Sequence, residues 1–445
     1  MPGALLTDLY ELNMAASYLR RDMTGPATFS LYVRNLPPCR GFLVAAGLQA
    51  CLDALESFSF DEDELSYLRT IGFDEQDIEA FRGVRFDGEV RAVAEGRIVH
   101  AGEPIMEITA SLPAAQLVET LLLNQVTLHT TVATKAARYR LAAPEKDLVD
   151  FAFRRTHGRE AAMAVARNSA IVGFSSTSNV EAGRRYGLDV AGTMAHSFIE
   201  AFPSEIDAFR AYAEDHPERT TFLVDTYDTM RGVANAIEVV QEMRLTGRLG
   251  IRLDSGDLLE LSRGARKLLD EAGLTQVRIF ASGGLDELEV QDLVADGAPL
   301  DAFGIGTQMG VSADAPSVDS VYKLVDFDGR PVLKLSAGKA TAPGRKQVWR
   351  GPDGDVLSLR DEAGMIGAEP LLEPVMRDGV RAGSAPTIER MRSRFEADLV
   401  ALPDGARLLR DATPVEVQHS DALVALTAST RDEALRRSSA DDGAR

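Results

Sequence analysis

The chain has 445 residues, of which 45% are apolar and 26% charged, as expected for a folded protein of about three domain-sized units or one large barrel with additions. Its formal net charge of −20 repels polyphosphate chains and anionic lipid, which disfavours binding to nucleic acids or membrane surfaces. Its two cysteines, Cys39 and Cys51, provide neither a disulfide framework nor the ligand spacing of a zinc site.

Residues 1–115 mix helix and strand patterns, which predicts an α+β domain. Apolar residues at 5, 9, 12 and 16 follow helical spacing, and residues 28–33 alternate like a strand. A helix is predicted over 46–58 and short strands over 84–110. The chain does not open with a basic stretch followed by an apolar one, so we expect a cytoplasmic protein without a signal peptide. Polar residues interrupt its most apolar window, so we expect no membrane span.

Residues 116–330 show a regular alternation of strand and helix patterns. A long apolar helix over 115–143 precedes a strand-like run at 148–153. Further strands are predicted to end near 170–173, 190–192, 222–225, 251–254, 279–282 and 303–306. The last four are separated by roughly 25 residues of helical pattern, the spacing of βα units. We predict an irregular, TIM-like α/β barrel, and a doubly wound sheet is the alternative.

The remaining sequence divides into two predicted segments. Residues 331–430 are mixed, charged and interrupted by prolines, and we expect them to pack on the N-terminal domain. The α+β domain would then be built from both ends of the chain. Residues 431–445 are polar and poor in apolar side chains, which predicts a disordered tail.

Glycines and a hydroxyl follow the last two predicted strands, where α/β barrels frequently bind phosphate. Glycine lets backbone N–H groups approach an oxyanion closely, and Thr307 adds a hydroxyl donor. The pattern predicts a phosphate site that contains Gly283, Gly284, Gly304 and Gly306. Ordinary turn geometry is the alternative, because it explains most isolated glycine pairs.

Cations cluster at the same predicted face of an otherwise acidic chain. Arg154 and Arg155 follow the first barrel strand, and Lys135 and Arg138 lie one helical turn apart on the preceding helix. Their positions predict the binding of a small polyanionic ligand. Simple surface solvation is the alternative for each pair taken alone.

Two pairs of carboxylates follow adjacent strands, Asp225 with Asp228 and Asp254 with Asp257. Carboxylates beside cations suit a ligand with hydroxyl and phosphate groups, or a Mg²⁺ ion that bridges to it. Aspartate after a strand is also a common helix N-cap, so the capping alternative stays open.

His196 lies near the start of a predicted helix for which Thr193 is the expected N-cap. In the first helical turn the dipole and the free N–H groups stabilise an anion and disfavour the imidazolium. A neutral imidazole there could act as base or nucleophile and could carry a phosphate. A packed or solvent-facing helix histidine is the alternative.

Taken together, six motifs resemble those of nicotinate phosphoribosyltransferase. They are TDLYEL at 7–12, RRTHG at 154–158, GF at 173–174 with TSN at 177–179, GTMAHSF at 192–198, RLDSGD at 252–257 and GIGT at 304–307. The likeness runs in order along most of the chain, and the last hundred or so residues match weakly. An ordered set of motifs is more specific than any one of them.

The resemblance implies a type II phosphoribosyltransferase that forms a homodimer with shared active sites. The implied reaction joins nicotinate and phosphoribosyl pyrophosphate into nicotinate mononucleotide and pyrophosphate, with ATP hydrolysed through a phosphohistidine and Mg²⁺ as cofactor. By position, His196 carries the phosphate, while Tyr10, Thr193 and Arg252 contact nicotinate.

The phosphoribosyl substrate would contact Thr307, again by position in the matching motif. Related nicotinamide enzymes imply that Asp225 and Asp254 bind sugar hydroxyls or Mg²⁺. Three alternatives stay open: a nicotinamide phosphoribosyltransferase, a quinolinate phosphoribosyltransferase, and an inactive barrel that serves as a nucleotide-binding scaffold.

Overall fold

A computed structural model describes residues 3–335 and 341–442. The chain divides into two compact units, one formed by Met1–Thr131 with Ser317–Arg445 and the other by Val132–Pro316. We call them unit 1 and unit 2. The boundaries between the units fall after residues 131 and 316, whereas the sequence analysis predicted domain boundaries after residues 115 and 330. The difference arises because Leu122 and Tyr322 belong to the hydrophobic core of unit 1.

The first part of unit 1 contains both helices and strands, and its last helix, α6, continues into unit 2. The elements are α1 (Leu9–Leu19), β1 (Pro26–Val33), β2 (Leu43–Val44), α2 (Leu48–Glu56), α3 (Glu62–Thr70), α4 (Glu75–Arg82), β3 (Glu89–Val93), β4 (Ile98–Val99), β5 (Pro104–Ser111), α5 (Leu112–Leu117) and α6 (Glu119–Ala142).

Unit 2 alternates strands with helices and has a short 3-10 helix at Phe153–Arg155. The other elements are β6 (Asp147–Asp150), α7 (Arg159–Ile171), β7 (Ser176–Thr177), α8 (Val180–Tyr186), α9 (His196–Glu200), α10 (Glu205–Asp215), β8 (Arg219–Leu223), α11 (Thr229–Glu242), β9 (Arg248–Leu253), α12 (Leu258–Glu271), β10 (Arg278–Ala281), α13 (Glu287–Ala295), β11 (Ala302–Ile305) and α14 (Thr307–Gly310).

The second part of unit 1 is rich in short strands and ends in helices. The elements are β12 (Ser320–Phe327), β13 (Arg330–Pro331), β14 (Lys346–Gly351), β15 (Gly354–Leu359), β16 (Glu369–Pro370), β17 (Leu372–Arg377), β18 (Val380–Arg381), α15 (Ile388–Ala401), α16 (Asp404–Arg407), β19 (Gln418–His419) and α17 (Asp421–Asp442).

The main sheet of unit 1 has seven strands in the order β13-β12-β1-β5-β3-β17-β18. Its neighbours pair antiparallel. The N-terminal strands β1, β5 and β3 form its centre, and C-terminal strands flank them on both sides, because β1 pairs with β12 and β3 pairs with β17. In its core, the ring of Phe29 stacks on that of Tyr322 at 4.6 Å. The predicted α+β domain of N-terminal and C-terminal segments is therefore confirmed.

Unit 2 contains a parallel sheet of six strands in the order β7-β6-β11-β10-β9-β8, curled into a half-barrel. The helices that follow β8, β9 and β10 begin at Asp228, Asp257 and Asp286, whose carboxylates accept backbone N–H groups of the first turn. The predicted α/β architecture is confirmed, and its irregularity lies in the open strand order. All βα loops after the strands meet at the carboxyl edge of this sheet.

Two predicted strands and the predicted tail differ from the structure. Residues 170–173 end helix α7 instead of a strand, and Gly173 reverses the chain with φ of 95°. Near 190–192 there is a single bridge, between Val190 and Thr177. The prediction of a disordered tail over 431–445 is wrong as far as Asp442, because α17 continues that far; alanine, arginine and glutamate in this stretch favour helix. Residues 443–445 lie outside the described part.

Within the described residues, no helix combines the length and the apolar character that crossing a bilayer requires.

Candidate active site

Arg252 is the centre of a side-chain network at the carboxyl edge of the half-barrel. Its Nε donates to Ser282 Oγ at 2.7 Å, and its Nη1 donates to Thr193 Oγ1 at 3.2 Å. Its Nη2 binds Asp254 Oδ1 at 2.6 Å, and the guanidinium lies 5.4 Å from the centre of the Phe151 ring. The side chain is only 12% exposed. These contacts fix the guanidinium plane and leave donors for a further acceptor, because arginine has five N–H groups.

Asp254 links this arginine to the neighbouring strand. Burial opposes its ionisation, but the Ser282 hydroxyl and the Arg252 guanidinium outweigh burial and lower the pKa of Asp254 below its ordinary value. The loop at Gly283 passes directly over the backbone of Asp254. A Cβ at Gly283 would lie 1.9 Å from the Asp254 carbonyl oxygen, and its φ is +107°, so only glycine fits this approach.

Asp225 lies beside Asp254 and has one oxygen in use. Its Oδ2 accepts the Asp254 backbone N–H at 3.0 Å and the Ser255 hydroxyl at 2.6 Å. Its Oδ1 is buried without a hydrogen-bond partner, so it is an acceptor ready for a ligand hydroxyl or a cation. Asp228 and Asp257 are helix N-caps instead. The capping alternative is thus correct for the second member of each pair and not for the first.

His196 is the first residue of α9, as the predicted first-turn position required. Its Nδ1 lies 3.1 Å from Thr226 Oγ1, and its Nε2 lies 3.9 Å from Asp254 Oδ2. The side chain is 40% exposed, so the ring is held on one side and accessible on the other. The N-cap is Ala195 and not Thr193. The prediction of a Thr193 cap is wrong because its hydroxyl accepts from Arg252 instead.

The glycines predicted to bind phosphate differ in position and packing, and Gly304 lies within β11 and not in the loop after it. Gly284 has φ of +79° and open space around its Cα. Gly304 is packed between aromatic rings, since a Cβ there would lie 2.8 Å from Phe151 and 2.9 Å from Phe280. Gly306 precedes the short helix α14, whose first residue is Thr307.

Arg154 and Arg155 follow β6 at this edge, and both are exposed. Arg155 Nη1 approaches Thr307 Oγ1 at 3.4 Å. The structure thereby brings Arg155, one member of the predicted basic pair, to the hydroxyl predicted to bind the phosphoribosyl group. Cations beside hydroxyl and backbone donors form a surface that suits phosphate oxygens.

Comparison with known proteins places this site in a family. The N-terminal domain of nicotinate phosphoribosyltransferase (NAPRTase) matches residues 5–127, and the nicotinate phosphoribosyltransferase (NAPRTase) family matches residues 147–360. The chain belongs to the nicotinate phosphoribosyltransferase family. The second match contains His196, Arg252 and Thr307.

Several members of this family are similar over most of their length. Nicotinate phosphoribosyltransferase pncB2 of Mycobacterium tuberculosis is 46% identical over 440 residues, which cover 96% of this chain and 94% of that protein. The Bacillus subtilis nicotinate phosphoribosyltransferase is 45% identical over 376 residues, covering 81% and 76%. The crystal structure of human nicotinic acid phosphoribosyltransferase superposes with a TM-score of 0.85 at 29% identity, covering 95% of this chain and 99% of that chain.

Two predicted phosphate ligands have carboxylate partners inside unit 2. Lys135 Nζ binds Glu287 Oε2 at 2.5 Å and Asp314 Oδ1 at 2.7 Å, and Arg138 Nε binds Glu287 Oε1 at 2.7 Å. Burial opposes ionisation of Glu287, but the two cations outweigh it and lower its pKa. Lys135 and Arg138 are therefore buried, neutralised ion-pair residues, which corrects their prediction as a phosphate site.

Tyr10, the nicotinate contact implied by family resemblance, lies on α1 in unit 1 and is 46% exposed. Burial and then the carboxylates of Glu119 and Glu11 raise the pKa of Tyr10 above its ordinary value. The hydroxyl therefore stays protonated, and the exposed ring is free to stack. Its contact with nicotinate stays a prediction.

Sequence reasoning missed three residues of the network: Phe151, Ser282 and Thr226. Phe151 and Ser282 follow β6 and β10, in the same position relative to their strands as the predicted polar residues. Thr226 directly follows Asp225. Position after a parallel strand was the available signal, and an aromatic ring or a single hydroxyl did not stand out on residue type alone.

Proposed function

We propose that this protein transfers the phosphoribosyl group of phosphoribosyl pyrophosphate to nicotinate, giving nicotinate mononucleotide and pyrophosphate for NAD synthesis. The observation that carries the proposal is the Arg252 guanidinium, held by Thr193, Ser282 and Asp254 against the Phe151 ring. The names of the family members of high identity support the same reaction.

Base recognition follows from charge and shape. A planar guanidinium pairs with a carboxylate through two parallel N–H···O bonds, and it offers an amide no such charge-assisted pair. The Phe151 ring beside Arg252 provides an apolar surface for the flat pyridine. These two residues therefore favour nicotinate over nicotinamide.

The phosphoribosyl group would lie between Asp225 and the loops after β10 and β11. The unpaired Asp225 Oδ1 accepts a sugar hydroxyl, while Arg155 and Thr307 bind phosphate oxygens. In the reaction, the pyridine nitrogen lone pair forms the bond to the anomeric carbon. The bond from that carbon to the pyrophosphate oxygen breaks, and its electron pair leaves with pyrophosphate.

A magnesium ion fits this site as a companion of the substrate. The described residues contain no group of three or more histidine, cysteine, aspartate or glutamate side chains that could hold a metal alone. Asp225 Oδ1 is a carboxylate oxygen without a partner, the donor type that Mg²⁺ prefers. When bound, the ion would neutralise charge that develops on pyrophosphate. Asp254 is the weaker ligand because Arg252 and Ser282 already use its Oδ1.

His196 would couple the reaction to ATP. Its accessible ring takes the γ-phosphoryl group of ATP as ADP leaves, and water later hydrolyses the phosphohistidine. Asp254 and Thr226 hold the ring for this step. Coupling requires that the phosphorylated and the free enzyme bind substrates differently, typically by about 1–3 kcal/mol.

A homodimer with shared sites completes the proposal, with Tyr10 contributing across the two-fold axis and the enzyme in the cytoplasm. Mixed dimers of Tyr10→Ala and His196→Ala test the sharing. Each homodimer should lack ATP-driven synthesis, and verified heterodimers should regain it because one site has both wild-type residues. Absence of regained activity contradicts the shared site.

The decisive assay combines the protein, Mg²⁺ and phosphoribosyl pyrophosphate with nicotinate, nicotinamide or quinolinate, with and without ATP. We expect mononucleotide from nicotinate, very little from nicotinamide, none from quinolinate, and stimulation by ATP. Equal use of nicotinamide would favour a nicotinamide phosphoribosyltransferase. Product from quinolinate would favour a quinolinate phosphoribosyltransferase, and no turnover of any base would favour the inactive scaffold.

A further inference from the structure

The concave face of the half-barrel encloses a cavity of about 1200 Å³, larger than the roughly 300–1,000 Å³ of common small-molecule sites. It reaches the base site at Phe151 and Thr193 and extends to Arg219 and Arg248 at the opposite, amino edge of the sheet. The proposed reaction uses only the first of these ends.

Small side chains line part of the middle of the cavity, beside the larger Val149 and Phe280. The interiors of α/β barrels are ordinarily filled by layers of bulky residues. Side chains alternate along a strand, so β9 places Arg248, Gly250 and Arg252 on one face, with no side chain at its centre. Thr221 of β8 and Ala302 of β11 also line the cavity. The sequence therefore leaves a passage where a core would be expected.

Positive charge is concentrated where the cavity opens at the amino edge of the sheet, an opening that we call the mouth and that contains Arg219, Arg248 and Arg278. Arg219 and Arg248 are directly paired in the register of β8 and β9, and both are exposed. Like charges in that position repel. Arg278, also at this mouth, is neutralised by Asp147 at 2.7 Å, whereas Arg219 and Arg248 form no ion pair within the described part of the chain. An unneutralised pair in a protein of net charge −20 attracts small anions.

The two ends are too far apart for one pyridine to touch both. Arg248 and Arg252 are four residues apart on β9, a separation of about 13 Å at roughly 3.3 Å per residue. The mouth is therefore a separate position from the base site, connected to it through the cavity.

We propose that the cavity is the entry passage for the base: Arg219 and Arg248 attract the carboxylate of a small aromatic acid, which then moves past Gly250 to Arg252. The identity of the acid as nicotinate rests on the proposed function. The passage itself rests on the cavity, its small lining residues and its unneutralised mouth.

The first test removes the charge at the mouth with the double variant Arg219→Gln/Arg248→Gln. The matched control Arg185→Gln/Lys267→Gln removes two exposed positive charges of unit 2 outside the cavity. Line shapes in ¹⁹F NMR of 5-fluoronicotinate give its Kd and dissociation rate, and hence its association rate. We expect association to slow about threefold to tenfold at low salt in the mouth variant alone. This difference in association rate between the mouth variant and wild type should vanish at about 1 M salt, where the Debye length is about 3 Å.

The second test narrows the passage with Ala302→Leu and, from the other wall, Thr221→Leu. Ala295→Leu, at an exposed position on α13, is the control, and thermal melting confirms folding. A narrowed passage slows association and dissociation together, by about threefold or more, and leaves Kd unchanged. Weaker Kd with unchanged dissociation would mean that these residues contact the bound base, and unchanged rates would mean entry elsewhere. Either result overturns the proposal.

The same measurements separate this inference from the proposed function. If wild type does not bind 5-fluoronicotinate, the nicotinate assignment fails. If wild type binds it and the mouth and passage variants exchange at wild-type rates, the passage fails and the assignment stands.

Discussion

Two of the clusters of cations and carboxylates in unit 2 differ in how completely their charges are satisfied. In one, Lys135 and Arg138 lie against Glu287 and Asp314, with little solvent access to three of the four side chains. In the other, Arg252 is held by Asp254, while the neighbouring Asp225 keeps a buried oxygen without a partner. Balanced clusters stabilise a fold, whereas an incomplete one leaves a position for a ligand.

The largest expected effect is on stability, from Glu287→Ala. Removal of this carboxylate leaves two buried cations short of a partner, which typically costs about 3–5 kcal/mol. Urea denaturation measures the loss, and Glu271→Ala, an exposed position on α12, should change stability by less than about 0.5 kcal/mol. An equally small loss for Glu287→Ala would contradict a structural role for the cluster.

Arg252→Ala, in the incomplete cluster, is expected to lower activity. Loss of a charge-assisted contact to nicotinate costs about 2–4 kcal/mol, or roughly 30- to 1,000-fold in kcat/KM for nicotinate. Arg252→Lys should recover little, because an ammonium lacks the planar fork, and Arg185→Gln should match wild type. If Arg252→Ala keeps nicotinate turnover, the base site is misassigned.

Asp150 is a buried carboxylate that, unlike Glu287, is held by neutral groups. It accepts the Thr177 hydroxyl at 2.7 Å and the Ala152 amide at 2.8 Å. Burial raises the pKa of Asp150 to about 6 from an ordinary 3.8, against these two hydrogen bonds. Since the folded state binds the proton more tightly, stability is greatest below the unfolded pKa and falls as pH rises from about 4 to 6, by up to about 3 kcal/mol.

The measurement is the free energy of unfolding of wild type relative to Asp150→Asn across this pH range. The difference should change with pH below about 6 and level off above it. Asp215→Asn, on the surface at the end of α10, serves as control. If the difference in the free energy of unfolding between wild type and Asp150→Asn does not change with pH, Asp150 does not have the raised pKa that distinguishes it from Glu287.

The smallest effect concerns His196→Ala. With radiolabelled ATP, wild type should acquire an acid-labile, base-stable phosphate, and this variant should not. Loss of ATP stimulation should lower synthesis about 5- to 150-fold, the usual scale of coupling, while slow ATP-independent synthesis continues. His419→Ala, at an exposed position of unit 1, should label like wild type. Equal labelling of His196→Ala would reject the phosphohistidine.

The positions of the strands could be predicted from the sequence, whereas the pairing of charged side chains could not. Strands β8, β9 and β10 were predictable because each combines a short apolar run with a following helix, such as α11 with buried residues at 233, 236 and 240. The same local pattern located Asp225 and Asp254, which come just after β8 and β9, whereas Arg252 lies within β9 and was assigned through the family resemblance.

Pairing between distant residues was beyond local pattern. Glu287 lies 152 positions from Lys135, so a buried ion pair and an open cation looked alike in sequence. Thr193 has the residue type of an N-cap, but Arg252, 59 positions away, takes its hydroxyl. In both cases a tertiary contact replaced the local interaction that the sequence favoured.

In the main sheet of unit 1, C-terminal strands flank the N-terminal ones, which has a consequence for synthesis on the ribosome. Strand β3 gains its neighbour β17 only after about 280 more residues are made, roughly 14–56 s at 5–20 residues per second. Until then one backbone edge of β3 is open to pairing with other chains. Unit 2, a continuous stretch of chain, can complete its folding in that interval. Nascent chains that stall before residue 372 are therefore expected to aggregate through unit 1 and to retain a folded half-barrel.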